Sequence, residues 1–238
     1  MAYCGTVTLH DEQGRALHTI RYGQMPGLDP QTLCNAMANT AYHIFRKRPG
    51  LQLQLLADGA PEMWNLLESS LPETVFGKRH LLVDFRHLLE KLAPAARLLS
   101  GRCEDRARAL LQRWRKALRK RKAAASEILA ELRASGCERR WLDGAQPVHE
   151  AITYLSNHRD RMNYAGALAK GLPIGSGHVE ATCKTLVALR MKLAGARWKT
   201  ETGAHVLHLR ALGLSDRWDA AMTKLAARNR IAVRPLAA

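Results

Sequence analysis

Three acidic positions in this chain stand where a carboxylate can do chemistry. Asp58 follows the short apolar run of residues 51–57 and precedes Gly59. Ligands of α/β proteins gather at the carboxyl ends of strands, and Mg²⁺ prefers oxygen donors. The same aspartate could instead cap the helix entered at Pro61. Asp84 ends a second apolar run, with His87 three residues on, an i, i+3 spacing that shares one helix face. That pair reads either as a polar site at a sheet edge or as a capping aspartate with an exposed histidine. Glu180 lies just after Pro173-Ile-Gly-Ser-Gly177. A carboxylate is favoured in the first turn of a helix, and a surface pair with Lys184 would satisfy it equally well. The glycines before it let the backbone pass close to a partner such as a phosphate. Cys183, not glycine, precedes Lys184-Thr185, so this is no Walker A loop.

The elements that must position these residues follow from periodicity and punctuation. Residues 5–10 and 16–22 alternate apolar and polar around a glycine-containing turn, which predicts a hairpin. Asp29-Pro30 opens a helix to about residue 46, and Pro49-Gly50 breaks the chain. Strands are expected at 51–57 and 80–84, with a short helix at 61–69 between them. A helical region starts at Phe85. Residues 102–134 read as strongly basic helix, with Leu110, Leu111, Trp114 and Leu118 as its apolar stripe. Further helices are expected at 147–168, from His178 to about residue 194, and from about Thr202, with Pro235 in the tail. Strands alternating with helices imply a mixed sheet with helices packed on it.

The chain has 238 residues, enough for one large or two small domains. An apolar share of 47% allows a proper core, and 5% aromatics means it is built of Leu, Ala and Val. The net charge of +16 points to a polyanionic partner, of which nucleic acid is the commonest. Five scattered cysteines include no zinc-knuckle spacing and suit a reducing cytoplasm. No apolar run reaches the ~18 residues of a membrane span.

With these residues in place, the sequence resembles insertion-sequence transposases of the Kra type, which are similar in plan to Mutator-like transposases. The stretches that carry the resemblance are ADGAPEMW around Asp58, LLVDFRHLLEKL around Asp84, AITYLSNHRDRMNYA, PIGSGHVEATCKTLVALRMKLAGARW around Glu180, and LRALGLSDRWDAAM near the end. They extend over nearly the whole chain, and the Glu180 block is the most specific of them.

The resemblance implies an α/β, ribonuclease-H-like mixed sheet with a large all-helical insertion before the last glutamate. It divides the chain into a partial core at 1–98, a basic helical insertion at 99–170 and core helices at 171–238. It also implies an Asp-Asp-Glu triad holding two Mg²⁺ or Mn²⁺ ions. Asp58 matches the second aspartate and Glu180 the glutamate, both as metal ligands. Asp84 and His87 match an accessory Asp-x-x-His element that shapes the site or touches DNA. The expected partners are transposon-end and target DNA and a second copy of the chain, in the bacterial cytoplasm at the nucleoid, with no membrane. Arg159, Arg161, Lys184, Arg190, Lys192, Arg197 and Lys199 would contact phosphates. Trp198 would either stack on a base or close a helix end against the core.

The departures lie mostly at the front. The strand carrying the family's first aspartate would precede the hairpin, and here the hairpin begins almost at once. Asp11 falls in its turn and Asp29 at a helix cap, so neither substitutes. His178 and Ala196 also differ from the residues commonest at their positions. The sequence therefore predicts a transposase lacking its first strand and first catalytic aspartate, its activity weakened or lost. A start codon placed too far downstream would produce the same departure. A non-catalytic DNA-binding protein using the basic helix of residues 102–122 is the alternative.

Overall fold

The computed structural model describes residues 2–232; Pro235 of the tail lies outside them. In chain order the elements are β1 (Tyr3–His10), β2 (Ala16–Gln24), α1 (Pro30–Lys47), β3 (Leu53–Ala57), α2 (Pro61–Ser70), α3 (Glu73–Phe76), β4 (Arg79–Val83) and α4 (Phe85–Leu99). Then follow α5 (Glu104–Lys120), α6 (Ala124–Ala134), α7 (Pro147–Asn157), a 3₁₀ turn at Arg159–Arg161 and α8 (Tyr164–Leu168). Last come α9 (Gly177–Thr182), a π-helical segment Cys183–Ala188, α10 (Leu189–Met191), α11 (Thr200–Leu214) and α12 (Trp218–Ala232). The class is α/β, and helix makes up about 60% of it. No helix among the described residues is long and apolar enough to cross a membrane.

The strands do not form the one mixed sheet that the sequence predicts. They make two two-stranded sheets: β1 with β2, antiparallel, and β3 with β4, parallel. The chain falls into two compact units. One takes the residues up to Asp11, Arg15–Arg48 and those from Gly177 on; the other takes Glu12–Gly14 and Pro49–Ser176. Contacts thus group the hairpin with the C-terminal helices, and the parallel pair with the helices that follow it, where the sequence suggested three consecutive parts.

In the first unit, β1 and β2 pair from Tyr3 opposite Gln24 to His10 opposite Ala16, with an irregularity between Leu9 and His10. Asp29 caps α1 by accepting the Gln31 N–H, and Pro30 holds the first turn, as predicted. A small core of Met25, Leu186, Val187 and Leu207 lies on the hairpin. Gly23 is needed there: a Cβ would come 2.7 Å from a Leu186 methyl.

In the second unit, β3 and β4 run side by side, with Ala57 opposite Val83. The larger core joins Leu82 and Phe85 to Leu88 and Leu92 of α4, Trp114 and Leu118 of α5, Ile128 and Leu132 of α6, and Val148 and Leu155 of α7. The predicted basic helix of 102–134 is broken at Arg121, whose backbone is extended. The break lets α5 and α6 face each other, and the Trp114 indole N–H donates to Glu131 across them. Folding back buries both apolar stripes, which one straight helix would leave half in water. The predicted helix of 147–168 is likewise interrupted after Asn157, and Asn163 starts α8 by accepting the Gly166 N–H. The helices α3 and α12 were not foreseen, and the helix predicted to reach residue 194 ends at Met191.

Candidate functional site

Asp58 lies one residue past β3, exposed. Its Oδ1 accepts the Ala60 N–H at 3.0 Å, and its carbonyl accepts the Trp64 indole N–H at 2.8 Å. It is not the cap of α2, because Ala60 holds that place without any side-chain bond. Asp58 therefore stands at the carboxyl end of a parallel strand with its backbone pinned and its carboxylate in solvent. The turn is held from the other side by α7. A Cβ on Gly59 would meet Tyr154 Cε2 at 2.4 Å and His158 Nε2 at 2.9 Å.

Asp84 is different. It is 3% exposed and caps α4: Oδ1 accepts the His87 N–H at 2.7 Å, and Oδ2 accepts the N–H of Ser176. Both oxygens are engaged by backbone donors, so its role in this unit is to fasten the start of α4 to the end of the 171–176 loop. That is the capping alternative of the sequence reading, with one bond more. His87 is part-exposed, 3.6 Å from Glu90.

Around these aspartates α7 and the residue that caps its end contribute two side chains that the sequence reading did not single out. The rings of Tyr154 and His158 lie 4.8 Å apart, and His87 approaches Tyr154 at 6.3 Å. Burial, with the Asp58 and Asp84 charges added, raises the Tyr154 phenol above its ordinary range. Burial, then Arg161, lowers the His158 imidazole. Both residues thus stay neutral near pH 7. Their i, i+4 spacing beside the apolar stripe Val148, Ala151, Ile152 and Leu155 was a readable signal. Arg161 is held by Glu68 at 2.6 Å and lies 4.5 Å over the Trp64 ring, and Arg159 is exposed.

In the first unit Glu180 is exposed in the first turn of α9. Behind it the helix widens to π geometry at Cys183–Ala188, a feature frequent at functional sites. Thr182 and Thr185 donate back to the carbonyls of His178 and Ala181, which competes with regular helix bonding. Arg210 of α11 donates to the carbonyls of Thr185 at 2.6 Å and Leu186 at 3.3 Å. Nothing in the sequence pattern marked Arg210 for this. Lys184, Arg190, Lys192, Arg197 and Lys199 are all exposed. Trp198 is part-buried against the small core, with the Arg190 guanidinium 5.8 Å from its ring.

Among the described residues no three His, Cys, Asp or Glu side chains gather closely enough to hold a metal ion. Asp58 has the donor chemistry that Mg²⁺ takes; Asp84, with both oxygens on N–H groups, does not. No known family, no curated protein and no solved structure matches this chain.

Proposed function

We propose that this chain is a DNA transposase of the Asp-Asp-Glu type, one that cleaves and rejoins DNA at transposon ends, with Asp58 and Glu180 as two of its catalytic carboxylates. The observation that carries the proposal is Asp58 itself. It is an exposed carboxylate one residue beyond a parallel strand, on a turn that Trp64 and His158 hold still. Supporting it are the net charge of +16 and the glycine-containing approach to Glu180. The order hairpin, helix, strand, helix, strand also supports a ribonuclease-H-like plan. Asp11 accepts the Arg15 N–H within the hairpin turn, and Asp29 caps α1. Neither is placed to act as the triad's first aspartate.

Divalent ions, when bound, would activate the attacking oxygen and steady the leaving one. The chain's own part is to present Asp58 and Glu180 as oxygen ligands and to hold the DNA backbone with exposed cations, Lys184, Arg190, Lys192, Arg197 and Lys199 among them. Tyr154 and His158 keep the Asp58 turn in place. The test is nicking and strand transfer of transposon-end DNA in Mg²⁺ or Mn²⁺. Activity that is abolished by EDTA, by Asp58→Ala and by Glu180→Ala supports the proposal. Metal-dependent activity that both variants retain would reject it.

A second reading is favoured by α5. Arg115, Lys116, Arg119 and Lys120 are exposed on it, and no carboxylate is paired with them among the described residues. A non-catalytic protein using this face would bind DNA without regard to sequence, and binding would survive Glu180→Ala.

A further inference from the structure

We propose that the cavity beside Asp58 receives one unstacked nucleotide of a DNA strand, an inference that rests on the reading of this chain as a DNA-acting enzyme. The cavity lies wholly within the second unit and has a volume of about 600 Å³, a size common among sites for small organic ligands. Gly59, Trp64 and Asn65 line it from the Asp58 side, and Thr153, Tyr154 and Asn157 of α7, with the capping His158, line it from the other.

The buried polar atoms call for a ligand with donors and acceptors. Tyr154 Oη and His158 Nδ1 are buried and have no hydrogen-bond partner among the described residues. His158 is only 6% exposed, and its Nε2 is directed to the Gly59 backbone, so Nδ1 is the ring atom left over. A buried polar group without a partner is costly, and a ligand that bonds to it removes the cost. The side-chain amides of Asn65 and Asn157 each offer a donor beside an acceptor, the pattern that matches a base edge. The half-buried ring of Tyr154 gives a base a face to stack on. Lys91 brings positive charge to the lining against its one carboxylate, Glu150, while Arg161 is already paired with Glu68.

A duplex cannot enter a concavity of this size, so the base must leave its stack to fill it. Unstacking is easiest where pairing is already broken. The full-length chain in EDTA, which prevents cleavage, is therefore expected to bind a short duplex with one mismatched pair about tenfold more tightly than the same duplex fully paired. Thr153→Trp and Asn65→Trp each fill the cavity from an exposed position, on α7 and α2 respectively. Both should bring that ratio close to one while paired-duplex affinity stays the same. Equal affinity of the unsubstituted chain for the two duplexes, or a preference that survives both tryptophans, overturns the nucleotide site. If metal-dependent nicking persists in that case, the transposase reading stands without it; absence of all DNA binding would overturn the two together.

Discussion

The buried carboxylate of Asp84 joins His87 and Ser176: one oxygen accepts the N–H of the first, the other the N–H of the second. A single side chain thus starts α4 and fixes the last residue of the loop that leads into α9. Asp84→Ala leaves both N–H groups without their acceptor. Helix caps and buried donors are each worth about 1–2 kcal/mol, so a loss of about 2–4 kcal/mol is expected in urea unfolding. Asp84→Asn keeps one acceptor oxygen but turns an amide donor toward an N–H, and should recover less than half of that. A loss below about 1 kcal/mol for the alanine variant would contradict the bridging role.

Arg210 stabilises the π segment behind Glu180 by capping the carbonyls of Thr185 and Leu186. Arg210→Ala should cost about 1–3 kcal/mol and speed amide exchange selectively in residues 183–191. Arg210→Lys has a single ammonium where the guanidinium reaches two carbonyls, and should fall between the two. Uniform exchange across the first unit in the alanine variant would argue against a local role.

Gly59→Ala tests how tightly α7 holds the Asp58 turn. The added methyl would lie 2.4 Å from Tyr154 Cε2 and 2.9 Å from His158 Nε2. Because the His158 ring is buried and Tyr154 part-buried, relief needs a shift of α7 or of the turn. A destabilisation of about 1–3 kcal/mol is expected. A thermal midpoint unchanged from that of the unsubstituted chain would show that the contact is soft.

How much of this was legible follows from where each signal sits in the chain. The hairpin, the Asp29-Pro30 helix start and the two short strands were readable, because alternation, capping and proline are local properties. Asp84 as a cap was also local. The breaks at Arg121 and after Asn157 were not, since each depends on what lies across the fold: Glu131 for Trp114, and the Asp58 turn for His158. The separation of the strands into two pairs escaped for the same reason, because pairing partners are not written in strand-length patterns. At the site, the strand-end position of Asp58 and the i, i+4 spacing of Tyr154 and His158 could each be read, but that the two meet the Asp58 turn, about a hundred positions away, is decided only by the fold.

The cysteines should differ widely in reactivity. Cys103 stands at the start of α5, where the backbone and side chain of Arg106 lower its thiol below the usual value. Cys4 is pushed up to about 12 by burial and the neighbouring Cys183. At pH 8, iodoacetamide followed by peptide mass mapping should label Cys103 first and Cys4 last, because the thiolate is the reacting form. Lowering the pH from 8 to 7 should slow Cys103 least. Labelling of Cys4 ahead of Cys103 would contradict this order.

The exposed cations of α5 offer the cleanest separation of binding from catalysis. Each phosphate contact adds close to one unit to the slope of log affinity against log salt. If α5 lies on DNA, Arg115→Gln, Lys116→Gln and Arg119→Gln together should lower that slope by about two to three, with paired and unrelated sequences affected alike. The same triple substitution leaves Asp58 and Glu180 untouched, so nicking at saturating protein should persist while the affinity falls. A slope that does not change would place the DNA elsewhere, with Lys184, Arg190, Lys192, Arg197 and Lys199 of the first unit the next cations to substitute.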